Sequence, residues 1–327
     1  MPTSGHGVPA PDACSVGFDR AEVSTFGTAA QATFFVALEQ PGPWGREAAT
    51  QSHLPVELGA ALAESCSSRG GRLSLIRRPG RHPDDGDDPA QAGHTAYLAW
   101  AGEQPWLLRA RVTDPAVLLE VDLDALARGD RDAVASTLDG AASSAPVLLV
   151  CTNGRRDVCC AVRGRPVALD AAAISPGRVW EASHTGGHRF APTGVLLPHG
   201  ATLARLDVDL ATAVLTAADG ATLPPALLGP IHDRGRSALS AGAQAAESHV
   251  RHLVGEISLT ALSTAEVIDE VPDDGRHGAG SGRFTVSHRD GRSWSVRCEK
   301  RLTTGELPES CGKPAVPLAA WAVSLLS

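Results

Sequence analysis

Short apolar runs, each followed by a polar, glycine-bearing loop, recur along the chain. Residues 33–39 carry Phe34, Phe35, Val36 and Leu38 in close succession, which predicts a buried strand. A Pro41-Gly-Pro-Trp-Gly45 loop follows. Apolar residues at 58, 62 and 66 then have helical spacing, so a helix is predicted over 55–66 with Pro55 in its first turn. Residues 73–76 read as a short strand. Residues 97–100 and 106–112 flank Gly102 and read as a hairpin.

The second half of the pattern repeats the first. A strand is predicted over 147–150, a polar loop over 151–160, a helix over 166–174 and a strand over 178–183. Residues 195–197 and 203–206 read as a hairpin around His199-Gly200. Strand, loop, helix, strand, hairpin is the order of a thioredoxin-like unit. The expected fold class is therefore α/β, with two tandem thioredoxin-like halves at 1–140 and 141–258. A closing helix is predicted over 237–254. A small C-terminal extension, 259–327, is expected to contain a hairpin, 284–288 and 293–300, around Asp290-Gly291. Residues 79–93 and 269–282 are dense in Pro, Gly and Asp and read as loops or linkers, and Asp84, Asp85, Asp87 and Asp88 as a solvated surface.

Composition narrows the classes. A 43% hydrophobic content supports a real core, but aromatics at 4% mean that Ala, Val and Leu must build it. The net charge of -8 disfavours nucleic acid or an anionic membrane as partner. No basic segment leads into an apolar run at residues 1–7, and no membrane span is evident, so a cytoplasmic location is expected. Seven cysteines in such a chain point to metal or redox chemistry rather than a disulfide framework.

Two motifs concentrate that chemistry. Cys151-Thr-Asn-Gly-Arg-Arg-Asp-Val-Cys-Cys160 follows one predicted strand, and Ser183-His184-Thr-Gly-Gly-His188-Arg-Phe-Ala follows another. Both loops leave the carboxyl ends of strands expected to be neighbours, where a scaffold can aim them at one point. Two thiolates and two imidazoles can close a tetrahedral metal site or bridge two irons. Eight residues separate Cys151 from Cys160, wider than the knuckle of a zinc finger. A wide pair followed by a tight His-x3-His pair fits a cluster in which each pair holds a different iron. Gly154, Gly186 and Gly187 are expected to let backbone approach it closely. Arg189, with Arg155 or Arg156, is expected to balance its charge. Neutral imidazoles in place of thiolates raise the potential, to about -150 to +300 mV in Rieske centres against about -400 mV for plant-type clusters.

These residues closely resemble the sucrase/ferredoxin-like family of thioredoxin-fold ferredoxins. Further likeness lies in Gly27-Thr28-Ala29, in Glu39-Gln-Pro-Gly-Pro-Trp-Gly45 and in Ser310-Cys311-Gly312. The resemblance implies a [2Fe-2S] cluster held by Cys151, Cys160, His184 and His188, with Cys159 a non-ligand. It implies an electron carrier rather than a catalyst, supplied by a separate reductase and serving an unknown acceptor. Two other classes stay open: a structural zinc Cys2His2 module, and a thiol-disulfide oxidoreductase using Cys159 and Cys160. Cys14 and Cys66 read as small packed residues, and Cys298 and Cys311 as buried ones. Trp44 is expected to pack over the site.

Overall fold

The computed structural model describes residues 9–80, 93–267 and 281–326; the loop reading of residues 81–92 and 269–280, with its acidic pairs, and the reading of residues 1–7 lie outside these. After a short helix α1 (Cys14–Arg20), the first half contains β1 (Phe34–Glu39), α2 (Val56–Ser67), β2 (Gly71–Arg77), β3 (His94–Trp100) and β4 (Trp106–Val112). Helices α3 (Leu123–Arg128) and α4 (Arg131–Thr137) and a short β5 (Ala142–Ser143) complete it. The second half runs through β6 (Val147–Cys151), α5 (Arg165–Ile174), β7 (Val179–Ala182), β8 (Gly194–Leu197) and β9 (Ala201–Leu203). It continues with α6 (Val208–Ala218), β10 (Asp233–Arg236) and α7 (Ala241–Val254). The C-terminal strands are β11 (Leu262–Val267), β12 (Gly282–His288), β13 (Ser293–Pro308) and β14 (Ala315–Leu325).

Ten strands form one sheet in the order β10-β9-β8-β6-β7-β2-β1-β3-β4-β5. On one side β1 pairs parallel with β2 and antiparallel with β3. On the other side β6 pairs parallel with β7 and antiparallel with β8. The same pairing order thus occurs twice, and the two sets of strands are joined where β2 meets β7 antiparallel through Ile76–Ala182 and Arg77–Glu181. Strand β5 lies beyond residue 140 yet pairs with β4, so it extends the first half.

Alternation along the strands explains how so aromatic-poor a chain builds its core. Phe34, Val36 and Leu38 of β1 face one cluster, with Leu62 and Cys66 of α2. Phe35 and Ala37 face the other side, where they join Ile76, Tyr97, Leu149 and Trp180 in a cluster shared by both halves. Leu148 and Val150 of β6 pack with Ala168 and Ala171 of α5 and with Val214 and Leu215 of α6. Strands β11 to β14 form a separate antiparallel sheet. Helix α7 joins the two sheets: Glu247 accepts from Arg236 of β10 at 2.6 Å and from Thr264 Oγ1 of β11 at 3.1 Å. No helix among the described residues is long and apolar enough to cross a membrane.

Two local expectations shift. The β8–β9 hairpin is tighter than the apolar pattern indicated, because Leu203 ends β9 and Leu206 joins the core beneath α6. Trp44 is buried in the first-half core, where it donates Nε1–H to the Gln40 carbonyl at 3.0 Å and carries Arg77 on its ring.

His199, in the β8–β9 turn, is 7% exposed and its Nδ1 has no hydrogen-bond partner. Burial, reinforced by Arg236, lowers its pKa to about 4. The unfolded chain therefore binds a proton here at a higher pH, near the ordinary value of about 6.5. Stability from the neutral ring is complete above that value and is lost as pH falls towards 4. Urea titrations are expected to show a shallower acid loss for His199→Gln, by about 3 kcal/mol across that window. Parallel acid limbs would disprove this role.

Candidate metal centre

The first motif begins as β6 ends. Cys151 closes that strand, and its N–H donates to the Thr193 carbonyl at 2.9 Å. Asn153 then folds the loop: Oδ1 accepts the Arg155 N–H at 3.1 Å, and Nδ2 donates to the Gly45 carbonyl at 3.0 Å. The Pro41–Gly45 loop thus braces the motif. A π-helical turn (Cys160–Gly164) leads into α5. Such turns widen a helix locally and are frequent at functional sites. Gly164 is required there, since a Cβ would stand 2.3 Å from the Cys151 carbonyl oxygen.

The neighbouring cysteines divide their attention. Cys159 has helical dihedrals, so consecutive side chains diverge by about 100°. Cys160 faces Cys151 within hydrogen-bonding reach. That contact, reinforced by backbone and side-chain hydrogen bonds from the second motif's Thr185, outweighs burial and brings the Cys151 thiol down to about 7. The same contact and burial push Cys160 well above its usual range.

The second motif leaves β7, the parallel neighbour of β6, beside the first. Ser183 Oγ accepts the Leu75 N–H at 3.1 Å, and Ser74 Oγ donates to the His184 carbonyl at 3.4 Å. Gly186 and Gly187 have φ of 77° and 70°, the left-handed region in which glycine is at ease. Gly154 is not among the glycines at positive φ; its role is close packing, because a Cβ would lie 2.8 Å from Ala161 Cβ. Burial lowers the pKa of His184 to about 3, with Arg72, Arg156 and His188 adding repulsion. Burial also lowers that of His188, against the pull of Asp157 and the Glu309 backbone. Both rings are therefore neutral and ready to donate lone pairs near neutral pH. His188 Nε2 is buried without a hydrogen-bond partner and lies 3.6 Å from Asp157 Oδ2.

Arg234, on β10, had no signal in the sequence pattern. It is 1% exposed and donates to the Gly186 carbonyl at 2.8 Å, to Thr28 Oγ1 at 3.1 Å and to the Thr28 carbonyl. Thus Thr28 of the Gly27-Thr28-Ala29 motif holds the arginine that holds the histidine loop. Burial, with repulsion from Arg189 and Arg72, lowers its pKa to about 9; Cys151 and Cys160 act in the opposite sense. The expected counter-charges are themselves paired: Arg156 with Glu47 at 3.4 Å, and Arg189 with Glu309 at 3.6 Å.

A second cluster of donors adjoins the first. Cys159 Sγ lies 3.2 Å from Cys311 Sγ and 3.6 Å from Cys14 Sγ, and Cys311 is 3.5 Å from Cys14. Asp157 stands between the clusters, accepting from the amides of Cys159 and Cys311, each at 2.9 Å, and from Ser310 Oγ at 3.0 Å. Burial alone would raise its pKa, but these bonds and His188 lower it on balance. Cys14 and Cys311 are therefore not isolated packed thiols. Cys66 and Cys298 are, at 0% exposure within separate cores. Spacing gave no hint of the Cys14–Cys159–Cys311 grouping, which joins segments 145, 152 and 297 residues apart.

No curated protein and no solved structure matches the chain. The family model described as sucrase/ferredoxin-like matches residues 25–226, which contain both motifs and most of the ten-stranded sheet. The chain belongs to the sucrase/ferredoxin-like family.

Proposed function

We propose that the chain is an electron carrier whose [2Fe-2S] cluster is held by Cys151 and Cys160 on one iron and by His184 and His188 on the other. Residues 141–258 carry the centre, within two tandem thioredoxin-like halves whose duplication is supported by the repeated strand order. The observation that supports the reading is that two contacting thiols and two neutral imidazoles lie in the loops that follow the adjacent parallel strands β6 and β7.

The donor set fits such a group. The unpartnered, buried Nε2 of His188 is an orphaned lone pair of the kind a metal satisfies. Among the described residues, the donors that gather within 4.8 Å of one another are Cys14, Asp157, Cys159 and Cys311. The four proposed cluster ligands are not among them. When bound, the cluster supplies one-electron uptake and release. Arg234, Arg72 and Arg156 hold positive charge beside the ligand residues and favour the added electron. Cys159 and Cys160 face different partners, which weighs against a vicinal dithiol as the redox group. The electron comes from a separate reductase and passes to an acceptor.

Visible and EPR spectra of anaerobically purified protein test this. A red-brown colour that bleaches with dithionite is expected, with a rhombic signal of low average g in the reduced state. A colourless, EPR-silent protein after anaerobic reconstitution with iron and sulfide would overturn the reading.

A further inference from the structure

The Cys14, Cys159 and Cys311 thiols meet from an N-terminal helix, the first motif and the β13–β14 turn, and neither that helix nor that turn supplies a proposed cluster ligand. We propose that Cys14, Cys159, Cys311 and Asp157 form a second metal site, which binds one Zn²⁺ ion and fastens both ends of the chain to the loop between Cys151 and Cys160.

The geometry is close to what zinc requires. Thiolates about 2.3 Å from a tetrahedral Zn²⁺ are about 3.8 Å from each other. Here the three sulfurs stand 3.2 to 3.6 Å apart, so a small outward movement admits the ion. Asp157 supplies the fourth corner, its oxygens both 3.9 Å from Cys14 Sγ. Oδ2 is already engaged by Ser310 Oγ and the Cys311 amide, whereas Oδ1 takes the Cys159 amide and keeps a second lone pair for a metal. Those amides orient the carboxylate as outer-shell donors orient a ligand.

Donor chemistry chooses the ion. Three soft thiolates and one carboxylate suit Zn²⁺, whereas Ca²⁺ and Mg²⁺ select oxygen donors throughout. Four protein ligands make a closed, structural site rather than one with an open position for water. A cavity of about 270 Å³ lined by Pro9, Asp12, Val158, Cys159 and Cys311 gives the ion a way in. The proposal does not rest on the [2Fe-2S] reading, since it shares no ligand with that site.

Zinc and iron counted separately in the purified full chain, with zinc-edge X-ray absorption, test it. One zinc per chain with three sulfurs and one oxygen is expected. The Cys14→Ser/Cys311→Ser variant is expected to lose the zinc and keep the iron content of the parent protein. If that variant does not fold, the parent's zinc-edge spectrum alone decides. Failure of the parent to retain zinc after dialysis against zinc chloride would overturn the proposal. So would a zinc shell of two sulfurs and two nitrogens, zinc retained by the folded variant, or a disulfide among these cysteines in reductively purified protein.

Discussion

His188→Ala is expected to yield protein with little or no iron and no visible chromophore, whereas Cys159→Ser is expected to keep both. The prediction follows from where each donor atom points. His188 Nε2 is buried and unpartnered, so this nitrogen has been removed from water without a hydrogen bond inside the protein to replace it. A metal recovers that cost, and alanine leaves its coordination position empty. Cys160→Ser is expected to behave as His188→Ala does, because its thiol faces Cys151. Cys159 is adjacent in sequence but directs its sulfur towards Cys14 and Cys311. Iron analysis and absorption spectra of the purified variants check the contrast. A His188→Ala protein with full colour, or a folded Cys159→Ser protein without colour, would refute the ligand assignment.

Much of the fold was legible because its elements differ in period. The unbroken apolar run of β1 and the helical spacing of α2 could hardly exchange roles. Helix α6, by contrast, has little signal in the sequence. Its apolar face is assembled largely from alanine and valine, which give little contrast with the small polar residues between them. Strand β10, Asp-Arg-Gly-Arg, has no strand signature at all. Pairing with β9 and burial beneath α7 impose its conformation, and tertiary context overrides propensity.

The candidate site was legible where its residues are local in sequence. His184 and His188 are set by one glycine-bearing turn, and Cys151 and Cys160 by one loop. What was missed came from far away. Arg234 reaches the histidine loop only because β10 closes the sheet next to β9. Asp157 was visible in the first motif, but its role depends on amides contributed by the β13–β14 turn. Trp44 packs in the first-half core and carries Arg77 on its ring.

Arg234→Met is expected to lower the reduction potential by roughly 50–100 mV and to destabilise the chain by about 3 kcal/mol. The electrostatic part comes from removing a buried unit charge next to Cys151 and Cys160. At an effective permittivity of about 20, a neighbouring charge is worth roughly 1–2 kcal/mol, and 59 mV corresponds to about 1.4 kcal/mol for one electron. The structural part comes from the Gly186 and Thr28 carbonyls, which lose their guanidinium donors. Gly187 shows how tightly that guanidinium is seated, since a Cβ there would stand 2.3 Å from Arg234 Nη2. Arg234→Lys separates the two parts. Lysine keeps the charge but not the planar fork, so it is expected to restore most of the potential while leaving much of the stability loss. Protein-film voltammetry and urea unfolding of the three proteins measure each part independently. An unchanged potential in Arg234→Met would mean that the charge is not felt at the redox centre. A potential equally depressed in both variants would assign the effect to loop geometry rather than to charge.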